Sequence, residues 1–65
     1  MGFKEINRKL ESNGWRVIRI NGSHFQYAHP DYSGKVVTVP NHGKRDISIG
    51  IVKNIEKGTG LSLRG

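Results

Sequence analysis

Trp15-Arg16-Val17-Ile18-Arg19-Ile20-Asn21-Gly22-Ser23-His24-Phe25-Gln26-Tyr27-Ala28 is the stretch that decides how this 65-residue chain folds. Two runs rich in β-branched and aromatic residues flank Asn21-Gly22, the strongest short signal for a hairpin. With Asn21-Gly22 as the loop, Ile20 faces Ser23, Arg19 faces His24, Ile18 faces Phe25 and Arg16 faces Tyr27. One side of the hairpin then carries Ile18, Ile20, Phe25 and Tyr27, an expected core. The other carries Val17, Arg19, His24 and Gln26, so His24 points outward beside a cation. Trp15 and Val17 are apolar on that outward side, which calls for a bulge near Gly14 or cover by the chain ends.

Before the hairpin, Phe3, Ile6 and Leu10 fall at helical spacing while Lys4, Glu5, Arg8, Lys9 and Glu11 occupy the other faces. Asn13-Gly14 ends this helix, because glycine adopts the left-handed conformation without a side-chain penalty. After the hairpin, Pro30-Asp31 and Ser33-Gly34 mark a turn, and Val36 to Val39 reads as a third strand stopped by Pro40. A basic loop, Asn41-His42-Gly43-Lys44-Arg45, leads to Asp46 as the expected cap of a second helix. In that helix Ile47, Ile51 and Ile55 recur at four-residue steps, with Val52 alongside and Gly58 closing it. Gly50 lowers helix propensity by about 1 kcal/mol relative to Ala, which close packing on the sheet would explain. Leu61 and Leu63 are expected to cover an edge of the core. The order α-β-β-β-α is an α+β arrangement, that of the double-stranded RNA-binding domain: a three-stranded antiparallel sheet with two helices on one face.

Composition narrows what such a domain does. Ile, Val, Leu and Phe supply 17 residues, enough for a modest core but not for a deep pocket. The absence of cysteine excludes disulfides and thiolate metal sites, and no run approaches the ~20 apolar residues of a membrane span. Met1 to Leu10 is charged and carries no targeting pattern, so a single cytoplasmic domain over residues 1–65 is expected. Eleven Lys and Arg against five acids give a net charge of +6. Phosphate polymers are drawn to such a surface by counterion release; a merely solvated basic surface, or one that meets an acidic protein, has the same composition.

Gly14-Trp15 after the first helix, Gly22-Ser23-His24 after the first strand and Val39-Pro40-Asn41-His42 after the third resemble the HicA (YcfA-like) family, the toxins of HicA/HicB toxin-antitoxin modules. Gly50 and Ile55 fit that family's second helix, and the likeness covers nearly the whole chain. The resemblance implies an mRNA interferase, a small ribonuclease that cuts message, arrests translation and is held inactive by a HicB-type antitoxin. It also implies that the catalytic residue is His24, the histidine of Gly-Ser-His. The residue between Pro40 and His42 is often basic in the family and is Asn41 here, which is expected to weaken one phosphate contact. The tail after the second helix is shorter than in many members and lacks their acidic continuation.

The chemistry of these residues suits that expectation. RNA cleavage needs a base to take the proton of a 2′-hydroxyl as it attacks phosphorus, and a neutral imidazole does this near neutral pH. Arg19 across the hairpin would bind phosphate, and Ser23 would hydrogen-bond near it or simply complete the turn. His42 is a second proton donor or a stacking contact, unless it is only an exposed loop residue. Lys44 and Arg45 lie where RNA-binding domains of this shape touch phosphates, at the start of the second helix. His29, next to Pro30 in a turn, has no expected role. No cysteine and no close histidine pair is available, so neither metal nor cofactor is expected. A noncatalytic RNA-binding module is the alternative to a nuclease.

Overall fold

A computed structural model describes residues 1–64; Gly65, the last residue of the expected domain, lies outside them. Five elements follow in order: α1 (Phe3–Ser12), β1 (Arg16–Asn21), β2 (His24–Ala28), β3 (Val36–Pro40) and α2 (Ile49–Thr59). The strands form one antiparallel sheet in the order β1-β2-β3. This is the α-β-β-β-α, double-stranded RNA-binding-domain-like arrangement expected from the sequence.

Helix α1 buries Phe3, Ile6 and Leu10 and stops where Gly14 takes φ +92°. Its buried side meets the sheet, with the Phe3 and Phe25 ring centroids 4.7 Å apart and the Tyr27 hydroxyl donating to Asn7 Oδ1. Tyr27 is fully buried, and burial, with the Glu11 charge adding to it, pushes its phenol up to about 12.

The hairpin register differs from the expected one. Asn21 pairs with His24, so the loop is Gly22-Ser23 and Arg19 faces Gln26 rather than His24. Gly22 takes φ +63°, and among the described residues no non-glycine residue has positive φ. That is the signature of a turn led by glycine at its first central position; an Asn-Gly turn of the primed type I kind would need a positive φ at asparagine as well. A bulge between Val17 and Arg19 adds Ile18 to β1 without a partner. Val17 therefore pairs with Tyr27, and Trp15, 1% exposed, joins the core. Ile18 and Ile20, expected inside, are 59% and 56% exposed. The bulge that Trp15 and Val17 called for exists, but at Ile18 and not beside Gly14.

The second helix also begins later than expected. Asp46 bridges to Gly2 and the Ile47 amide donates to the Met1 carbonyl at 2.8 Å, so this segment is extended and Ser48 is the N-cap. Ile47 is buried ahead of the helix, and the buried stripe within it is Val52, Ile55 and Thr59, leaving Ile51 partly exposed. Gly60, at φ +76°, closes the helix in place of Gly58. The close approach to the sheet belongs to Gly58, where a Cβ would sit 3.3 Å from Val37, whereas Gly50 faces open space. Leu63 is buried as expected, and Lys9 donates to its carbonyl at 2.7 Å. Glu56 accepts from the amides of Leu63 and Arg64 and pairs with the Arg64 guanidinium, and these bonds hold its carboxyl below the usual range.

Candidate active site

The Gly22-Ser23 turn is short and tied down. Asn41 donates its amide to the Ser23 carbonyl at 2.7 Å, and the Asn41 side chain in turn accepts from the Gly43 amide at 3.0 Å. The loop after β1 and the loop after β3 are thereby joined at one end of the sheet. His24, the first residue of β2, stands at that junction, paired with Pro40, the last residue of β3. Proline has no amide hydrogen to give, and after the Asn41 amide has bonded to Ser23 the chain leaves the sheet for the His42 loop.

The consequence is that His24 and His42, 18 residues apart in sequence, line the same groove of about 440 Å³. One wall is the β3 edge, with Val36, Thr38 and Pro40; the other is α2, with Ile51, Asn54 and Gly58. Both imidazoles are exposed. Two such groups at one groove can divide the work of a phosphodiester cleavage, one accepting a proton and the other donating one.

The remaining expected site residues are spread around this groove. Ser23 is exposed, and its carbonyl makes the tie to Asn41. Arg19 is exposed two pairs further along the sheet than His24, on the same face, since Ile20–Phe25 separates Arg19–Gln26 from Asn21–His24. Diagonal neighbours of this kind are about 7–8 Å apart, a distance that a long arginine side chain can reach across. Lys44 lines a different hollow, of about 610 Å³, with Lys4, Glu5 and Asn41. Arg45 is exposed on the same loop. Neither sits at the α2 N-terminus, because Asp46 and Ile47 intervene before the Ser48 cap.

His29, given no role from the sequence, is a structural residue. Its Nε2 donates to the Asn13 carbonyl at 2.8 Å and its Nδ1 accepts from the Asp31 amide at 3.0 Å, which requires the neutral tautomer protonated on Nε2. The ring packs against both Trp15 and Tyr32, with centroids 5.2 and 4.7 Å away, and those two rings stack on each other at 5.8 Å. Thr38 and Asn54 are groove residues that the sequence reading missed. The available signal was the spacing of Ile51, Asn54 and Gly58, one helical face that the Ile47-Ile51-Ile55 stripe obscured. Among the described residues no group of three or more His, Cys, Asp or Glu side chains is placed to share a metal, and no helix is long and apolar enough to cross a membrane.

The model of a protein family described as the HicA toxin of bacterial toxin-antitoxin modules matches residues 3–61, a span that includes every groove residue named above. A comparison with curated proteins gives no match.

Proposed function

This chain belongs to the HicA toxin family, and we propose that it is a cytoplasmic endoribonuclease that cuts messenger RNA without a metal and is neutralised by a HicB-type antitoxin. The observation that carries this reading is the placement of His24 and His42 on one open groove of a strongly basic domain. His24 takes the proton of the 2′-hydroxyl as that oxygen attacks phosphorus. His42 gives a proton to the departing 5′-oxygen, so the phosphorus–oxygen bond breaks without expelling an alkoxide. The products are a 2′,3′-cyclic phosphate and a 5′-hydroxyl, and no co-reactant is consumed. Arg19, on the same sheet face, holds the phosphate and offsets charge on its oxygens.

A groove this open admits a single strand rather than enclosing a small molecule, and it is also open to closure by a partner laid across His24. Expression of the wild type and of His24→Ala in growing cells tests the reading. Arrest with message breakdown from the wild type alone supports it. Arrest by both proteins with message intact would instead assign a noncatalytic RNA-binding module, and arrest by neither would overturn the toxin reading.

A further inference from the structure

The walls of the groove carry more than proton transfer needs. Val36 and Ile51 are 51% and 37% exposed, an apolar pair on opposite sides of the opening. Thr38 of β3 and Asn54 of α2, both exposed, line the same groove and add a hydroxyl and a carboxamide to it. Apolar faces with one hydroxyl and one carboxamide at their edge match the chemistry of a nucleobase: a flat surface to be covered and a rim of donors and acceptors to be read. An asparagine amide is suited to this because it donates and accepts in one plane, the geometry that pairs with adenine N6 and N7.

We propose that the β3–α2 groove is a base-reading subsite for single-stranded RNA, in which Val36 and Ile51 cover the faces of one unpaired base and Asn54, with Thr38, reads its edge. This rests on the nuclease reading for its consequence, since Val36 is four residues along β3 from Pro40, the partner of His24, so that a base seated there belongs to a nucleotide near the one cut and sets where the chain is cut. Its recognition step does not depend on cleavage. Adenine is the base that Asn54 fits best. Double-stranded RNA, whose bases are stacked and paired, does not enter.

The test uses the His24→Ala protein, which binds without cutting, and titrates it with oligo(A), oligo(C) and oligo(U) at fixed salt. Preference for oligo(A) that falls roughly tenfold on adding Asn54→Ala, with total affinity for the weaker oligomers unchanged, is the expected result. Equal binding of all three oligomers, or a preference that survives Asn54→Ala, overturns the subsite. Asn54→Asp guards against a trivial packing effect: it keeps the size and replaces the donor by an acceptor, so the adenine preference must also fall while the melting temperature holds. If the wild type proves unable to cut RNA yet these preferences appear, the nuclease reading fails and the subsite stands. If the wild type cuts but Asn54→Ala leaves the cutting positions unchanged, the subsite fails and the nuclease reading stands. Tight binding of duplex RNA in place of single strands would overturn the subsite as well.

Discussion

Strand β2 has a histidine at each end, and the two could hardly be placed more differently. His24 opens the strand, exposed and lining a groove with a second imidazole. His29 follows the strand, with both ring nitrogens hydrogen-bonded and its ring packed against Trp15 and Tyr32. The same side chain is thus left open on a groove at one end and, five residues away, serves as a bracket at the other. What distinguishes them is the chain around each: a glycine-led turn tied by Asn41 leaves His24 outside, while Asn13, Asp31 and Gly14 close over His29.

The sharpest way to break this comparison is to remove each ring in turn. His24→Ala should lower RNA cleavage by about 10² to 10⁴ while leaving the melting temperature unchanged, measured as a single-turnover rate beside a thermal melt. His29→Ala should do the reverse, costing about 1–3 kcal/mol of stability in a denaturant titration, with activity per folded molecule retained. A loss of activity in His29→Ala beyond the loss of folded protein would mean that the two ends are not separable.

Gly14 sharpens the buried end. Its φ of +92° disfavours any side chain, and a Cβ there would fall 2.6 Å from His29 Nε2, an atom already held by Asn13. Gly14→Ala should therefore cost more than about 1 kcal/mol, detected in the same titration. An unchanged midpoint would show that the imidazole yields and is not the bracket described.

This asymmetry was only half legible in the sequence. The end of α1 at Asn13-Gly14, the hairpin, the stop at Pro40 and the burial of Leu63 all follow from local chemistry, and so does the exposure of His24. The register of β1 does not, because Asn-Gly and Gly-Ser both satisfy a two-residue turn and only the backbone conformation of Asn21 decides between them. The bulge at Ile18 answers to the demand for Trp15 inside, a tertiary requirement that outweighs the alternation of Ile18 and Ile20. The start of α2 was misplaced because Asp46 looks like a cap until Gly2 is seen pairing with it. Most of the groove was hidden for the same reason, since its second wall depends on which face of α2 is buried.

Two smaller effects concern the framework that holds both ends. The Tyr27 phenol is pushed up to about 12, so its contribution to stability is complete below its ordinary value and is lost as pH rises toward that raised value. Alkaline unfolding followed by circular dichroism should show this step, and Tyr27→Phe should flatten it. Glu56 is held below its ordinary value by the Leu63 and Arg64 amides, so its contribution is present above that value and disappears as pH falls through the lowered one. The stability gap between wild type and Glu56→Gln should accordingly close in acid, the smallest of these changes, and a gap independent of pH would mean that the tail is held by Leu63 packing alone.

An exposed pair of imidazoles that cuts RNA must do so through the RNA's own 2′-hydroxyl. The decisive measurement is the product ends from a single-stranded RNA incubated with purified protein in excess chelator, beside the same strand bearing one 2′-deoxy residue at the cut. Cleavage of the all-RNA strand to a 2′,3′-cyclic phosphate, with the deoxy strand intact at that position, is the predicted result. Equal cleavage of both strands, or loss of all cleavage in chelator, would contradict it.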